Sequence, residues 1–208
     1  MAKTVIGILA SGRGSNAMAI LEGIQAGRID GQVAVLISDN PAAQALERAA
    51  AYNIRACCID RRNFTSRSEF EAAIAAVLTD HAVELVVLAG FMRLLSESFI
   101  NQFPGRIMNI HPSLLPAFPG LDAQEQAVRY GAKVSGCTVH FVDSGMDTGP
   151  IILQHSVPVY GNDTASTLAS RILQTEHILY PEAVRLFCEG RLTIDGRIVR
   201  IAAEEEKQ

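Results

Sequence analysis

Asn109 and His111 stand two residues apart at the end of an apolar run, and Pro112 follows at once. A strand sends alternate side chains to opposite faces, so Asn109 and His111 share one face and Ile110 takes the other. Proline has no N–H for a ladder, so the strand stops there. An amide and an imidazole thus project together from a strand's carboxyl end, where open parallel sheets place their ligands. Asn can donate to an oxyanion, and His can take and return a proton near neutral pH. A lone histidine near a strand end is usually just hydrogen-bonded, and an Asn on the same face weakens that reading.

Three other stretches could do chemistry. Ser11-Gly12-Arg13-Gly14-Ser15-Asn16-Ala17 falls between a strand and a helix. Its glycines let backbone approach a ligand, and the helix start offers free N–H groups to an anion such as phosphate. Ser15 and Asn16 either add donors or cap the helix. The same run fits G-x-G-x-x-A with Asp39 following 22 residues after Ala17, so a dinucleotide site competes. That rival gives no task to Asn109 and His111. The second stretch, Val142 to Pro150, carries Asp143 and Asp147 in a Gly-rich loop. Either acid could orient His111, either could merely form a turn, and spacing does not choose between them. The third, Leu88 to Leu95, brings Met92, Arg93, Leu94 and Leu95 to the same sheet edge as an apolar lining.

The elements that position these residues follow from periodicity. Val5–Leu9, Val33–Ile37, Arg55–Ile59, Leu85–Leu88 and Arg106–Ile110 read as buried strands. Helices are predicted between them over 16–27, 42–52, 68–80 and 96–103. This alternation implies a doubly wound, mostly parallel sheet of Rossmann-like α/β class. The second half changes character. A helix over 123–130 precedes Ser135–Phe141, which alternates as an antiparallel strand does, and Ile151–Val159 follows. A long helix covers 164–189, with a kink expected before Pro181. Asp195-Gly196 reads as the turn of a closing hairpin, and Ala202–Gln208 as a frayed charged tail.

Composition narrows the function. The net charge is −4 with no long basic run, which argues against nucleic acid as a partner. The first apolar segment is too short to span a membrane and does not continue as a signal peptide, so a cytoplasmic protein without a membrane partner is expected. Four cysteines, two of them adjacent, have no metal-ligand spacing and read as small buried hydrophobes in a reducing compartment. No linker divides the 208 residues, so one domain, 1–208, is expected.

"LAGFMRLL", "NIHPSLLPAFPG", "TVHFVDSGMDTGPII" and "QTEHILYP" resemble, in content and order, the motifs of the folate-dependent formyltransferases that act on glycinamide ribonucleotide. The resemblance runs from the first strand to about Pro181. The Asn-x-His-Pro core is shared with methionyl-tRNA formyltransferases and formyltetrahydrofolate deformylases. Each of those carries an extra domain for which a single-domain chain has no room. The "GRGSN" loop matches the substrate-phosphate loop of the first family. The resemblance implies a catalytic trio of Asn109, His111 and Asp147. It implies contacts to glycinamide ribonucleotide from Gly14, Ser15, Asn16, Ala17, Met18 and Glu176. It implies folate contacts from Arg67, Met92, Arg93, Leu94, Leu95, Asn109 and Val142. Ala117 and Asp122 depart from residues that several relatives carry. The implied cosubstrate is 10-formyltetrahydrofolate with no metal, and hydrolysis of that folate is the alternative reaction. A cis bond at Leu115–Pro116 is also implied. Oligomeric state is not read from the sequence.

Overall fold

The computed structural model describes residues 2–203; the charged tail from 204 onwards lies outside the described residues. One nine-stranded sheet holds the chain together. β1 (Thr4–Leu9) pairs in parallel with β2 (Gly31–Ser38) and with β4 (Leu85–Leu88). β3 (Ala56–Cys58) extends β2, and β5 (Ile107–His111) extends β4, both in parallel. β6 (Val134–Phe141) and β7 (Ile151–Pro158) then add antiparallel strands. β9 (Ile198–Ile201) lies parallel to β7, and β8 (Leu192–Asp195) closes the far edge. The order is β3-β2-β1-β4-β5-β6-β7-β9-β8. The chain winds outward one way through β2 and β3 and the other way through β4 and β5. The crevice at such a reversal opens at the strands' carboxyl ends.

Strand alternation divides the apolar residues between two cores. Ile6, Ile8, Val87, Met108 and Val139 face α1 (Ser15–Gln25), α2 (Gln44–Ala51), α5 (Ala123–Tyr130) and α6 (Ala165–Cys188). Leu9, Val86, Leu88 and Ile107 face α3 (Arg67–Asp80) and α4 (Glu97–Ile100). Both faces of the parallel strands are buried, so these strands are continuously apolar rather than alternating. Truncating one such residue, Ile8 for example, costs about 2–5 kcal/mol.

Boundaries moved where local chemistry overrode periodicity. His111 is the last residue of β5, one beyond the expected end, because its backbone pairs with Thr138 of β6. α4 is one turn long rather than eight residues. Ser96 caps its start, and Pro104 bars the helical conformation at Phe103. The closing hairpin turns at Gly196-Arg197, not Asp195-Gly196. Asp195 pairs with Ile198 in the ladder, and Gly196 takes a φ of 58°. α6 runs through Pro181 as one helix of 24 residues. The four cysteines are free, yet only Cys137 is buried; Cys58 is exposed on the short β3, which is an edge strand among the described residues.

Candidate active site

β5 delivers Asn109 and His111 on one face, with Ile107 behind them, and β6 runs antiparallel alongside. Directly opposed residues of such a pair share a face. Asn109 therefore meets His140, and His111 meets Thr138. The Asn109 Nδ2 donates to His140 Nε2 at 3.2 Å. The His140 Nδ1–H donates to the Phe141 carbonyl at 2.8 Å, which fixes the tautomer and leaves Nε2 as acceptor. Burial holds the His140 pKa below the usual histidine range, with the Phe141 bond and Asp147 opposing more weakly. His140 is thus a neutral acceptor that orients the Asn109 amide.

Asp147 completes the group. Its carboxylate lies 3.3 Å from His111 Nδ1 and 3.8 Å from His140 Nε2, and it accepts from Gly120 N at 2.8 Å. His111 Nε2 donates to the Phe118 carbonyl at 2.8 Å. Asp143 faces elsewhere: it accepts from Gly145 N and Thr148 Oγ1, the bonds of a turn former. Geometry therefore separates two acids that spacing left equal. The loop after β5 is tied down independently. Leu115–Pro116 is cis. Thr138 Oγ1 donates to Ser113 O and accepts from Leu115 N, and the Gln154 amide bonds both Thr138 and Leu115 O.

The start of α1 is open. No side chain among the described residues caps it, so Ser15 and Asn16 are not the capping residues they could have been. The first N–H of the helix to find a backbone acceptor is that of Met18, on Gly14 O. The preceding N–H groups are left for an anion at the positive end of the helix dipole. Gly14 turns the chain there with φ 71°, and a Cβ on it would stand 2.7 Å from Ala45 Cβ. Glycine is required by close packing on α2. Asn16, Ala17 and Met18 are buried. Asn16 Nδ2 donates to Glu176 Oε2 of α6 at 2.8 Å, while Asn16 Oδ1 is buried without a partner. Burial raises the Glu176 pKa, and the Asn16 bond lowers it by less.

A cleft of about 330 Å³ opens beside the β4 loop, lined by Arg61, Arg67, Phe70, Glu71, Met92, Arg93, Leu94 and Leu95. Arg67 pairs with Glu71 and donates to the Leu94 carbonyl, so it also fixes the loop it shares the cleft with. Arg93 pairs with Asp39. The acid that a dinucleotide ribose would need is thereby engaged. A second cleft of about 340 Å³ lies across Arg93, towards Ser11, Asn40 and Asp60. Neither cleft includes Asn109, His111 or Asp147 in its walls. The group of Asn109, His111 and Asp147 sits one strand over, where Asn109 pairs with Leu88 at the end of β4. Val142 N bonds the Ile107 carbonyl on the far side of the same strand pair.

Residues 4–184 match the family model described as formyl transferase. The chain belongs to the formyl transferase family. It is 45% identical over 178 residues, 86% of this chain and 91% of the other, to a phosphoribosylglycinamide formyltransferase of Bacillus subtilis (strain 168). It is 39% identical over 97% of its length to the trifunctional purine biosynthetic protein adenosine-3 of Homo sapiens, spanning 20% of that longer protein. A crystal structure of glycinamide ribonucleotide transformylase 1 from Symbiobacterium toebii superposes with a TM-score of 0.95 at 55% identity, covering 97% of this chain and 95% of that one.

Within this formyl transferase, His140 joins the candidate group although sequence reading missed it. A signal was present: Cys137, Val139 and Phe141 are buried on the opposite face, which leaves Thr138 and His140 beside Asn109 and His111. Tyr180 was missed as well. Its hydroxyl donates to the Leu88 carbonyl at the end of β4, 3.1 Å away, and to the Met108 carbonyl within β5, 2.9 Å away.

Proposed function

We infer that this formyl transferase moves the formyl group of 10-formyltetrahydrofolate to the amine of glycinamide ribonucleotide, giving formylglycinamide ribonucleotide and tetrahydrofolate in purine synthesis. The names and near-complete coverage of the bacterial relatives support the substrate pair. The observation that carries the chemistry is the grouping of Asn109, bonded to His140, with His111, beside Asp147, at the carboxyl end of β5.

The folate brings a formyl carbon already activated by its nitrogen, so the reading uses no metal. Asn109, its amide held by His140, donates its second N–H to the formyl oxygen as that oxygen gains charge. His111 takes part in moving a proton from the attacking amine to the departing folate nitrogen. Asp147 supports the imidazole while it carries that proton. The open start of α1 holds the ribonucleotide phosphate through the N–H groups at Gly14, Ser15, Asn16 and Ala17, with Met18 packed behind. Glu176 and Asn16 Oδ1 meet ribose hydroxyls, which supply the donor that the buried Asn16 Oδ1 lacks among the described residues. Arg67 and the run Met92, Arg93, Leu94 and Leu95 hold the folate, and Val142 walls the pterin. The exposed Met92 and Leu94 and the guanidiniums of the cleft fit an aromatic body with an anionic end. Residues 1–208 act as one domain in this reading, supported by a sheet continuous from Thr4 to Ile201, and the partners are small molecules in a cytoplasmic setting.

Incubating the protein with 10-formyltetrahydrofolate, with and without glycinamide ribonucleotide, and following tetrahydrofolate tests the reading. Release that depends on the ribonucleotide is expected. Equal release without it would make the chain a hydrolase.

A further inference from the structure

β4 and β5 separate where the candidate group begins. Their ladder ends at the pair Leu88–Asn109. Beyond it the chain leaves β4: Ala89 N bonds the Leu9 carbonyl of β1, and the run to Leu95 follows. β5 goes on to His111, paired with β6. Tyr180 of α6 reaches this fork from the face of Val87 and Met108, opposite to the face of Ile107 and Asn109. The residue is fully buried. Its hydroxyl shares one proton between the Leu88 carbonyl at 3.1 Å and the Met108 carbonyl at 2.9 Å. The second carbonyl belongs to the peptide unit that carries the Asn109 N–H. Burial pushes the Tyr180 pKa well above the usual tyrosine value, so the hydroxyl keeps that proton. Burying an O–H costs free energy that a phenyl ring does not incur, and the two carbonyls at the fork offset it.

We propose that Tyr180 is a positioning residue for formyl transfer: its hydroxyl clamps the diverging ends of β4 and β5 and so sets where the Asn109 amide stands against the loop that follows β4. The inference rests on the formyl-transfer reading and adds to it a residue that acts from behind the sheet. His140 turns the Asn109 amide from the β6 side, and Tyr180 holds the backbone from which that amide hangs. Without the hydroxyl, the two carbonyls are free to draw apart beyond the last rung of the ladder. A misplacement of about 1 Å in a catalytic group costs about 10²-fold in rate. With the ladder intact up to Leu88, the shift is smaller, and about tenfold in kcat is expected. Glu176 stands four residues earlier on the same buried face of α6. The helix that meets the ribonucleotide in this reading therefore also braces the strand that carries the amide.

The test is Tyr180→Phe, assayed for formyl transfer well below its melting temperature. Its kcat should fall by about tenfold, while KM for glycinamide ribonucleotide and for 10-formyltetrahydrofolate each stay within about twofold. Ile74→Val, a buried truncation in α3, should lower the melting temperature without lowering kcat. The variant is then combined with Asn109→Ala. If the hydroxyl acts through Asn109, it has nothing left to contribute once the amide is gone, so the double variant should match Asn109→Ala in kcat. Multiplied losses overturn the role, as does an unchanged kcat in Tyr180→Phe or an equal loss in Ile74→Val. Protein labelled with 15N-asparagine reads the placement without turnover. The backbone and side-chain signals of Asn109 should shift in Tyr180→Phe, and those of Asn53 and Asn162 should not. Unmoved Asn109 signals overturn the clamp. Shifted signals in a protein that transfers no formyl group would keep the clamp and lose the transfer reading.

Discussion

Asn109 and His140 form a unit in which one residue acts and the other aims it. Removing the Asn109 amide should cost about 2.7–4 kcal/mol of transition-state stabilisation, or about 10²–10³ in kcat, with little change in ribonucleotide binding. His140→Ala should lose part of that, because the amide is still present but no longer held. Groups that act together are not additive. The double variant should therefore be no slower than Asn109→Ala alone; multiplied losses in steady-state kcat would refute the unit. Asp147→Asn keeps the shape and removes the charge beside both histidines. It should lower kcat by up to about 10⁴, the loss that follows when the acid of a Ser-His-Asp triad becomes an amide. Asp143→Asn should do far less, since that carboxylate serves its own turn. Comparable losses in the two variants would show that the wrong acid has been chosen.

The decisive element is α1, whose open start is held against α2 by Gly14. A side chain at Gly14 meets Ala45 and must adopt a positive φ, which costs about 1–2 kcal/mol in an L-residue. Gly14→Val should lower thermal stability and weaken glycinamide ribonucleotide by about tenfold while leaving folate affinity nearly unchanged. Calorimetry with each ligand checks this, and equal weakening of both would place the loop's role in general stability. The helix itself was legible from its apolar spacing and the glycines before it. Its lack of a side-chain cap was not, because Ser15 and Asn16 are good capping residues by type. Only the fold shows Asn16 drawn away to Glu176, 160 residues along the chain.

The whole molecule buries Glu176 between α1 and α6, and that has a pH signature. Its folded pKa lies above its unfolded one, because burial disfavours the charged form. Its contribution to stability is full below the ordinary carboxylate range and is lost as pH rises through the raised folded value. Urea midpoints of wild type should therefore decline relative to Glu176→Gln between pH 4 and the upper end of that window. His140 and His177 have lowered pKa values and act oppositely, losing stability as pH falls below the usual histidine range. They are common to both proteins and cancel in the difference. A pH-independent difference would mean that the Glu176 pKa is the same in the folded and unfolded states. Glu176→Gln should also raise the KM for the ribonucleotide, as its second acceptor becomes an amide donor.

The sequence by itself determined the doubly wound sheet, the antiparallel extension, and the pair projecting from β5. Each rests on local periodicity and on proline's missing N–H, which act within a few residues. It also placed Asp147 with the pair, but through resemblance to a family rather than through spacing. Tertiary structure decided what depends on register between distant segments. It set Asp147 rather than Asp143 beside His111, brought His140 opposite Asn109 and engaged Asp39 with Arg93. A side chain's partner is fixed by which strand lies beside it and by one residue of offset, since a slip of one turns every side chain to the other face. That information is spread across the whole chain, so no single stretch of it contains the site.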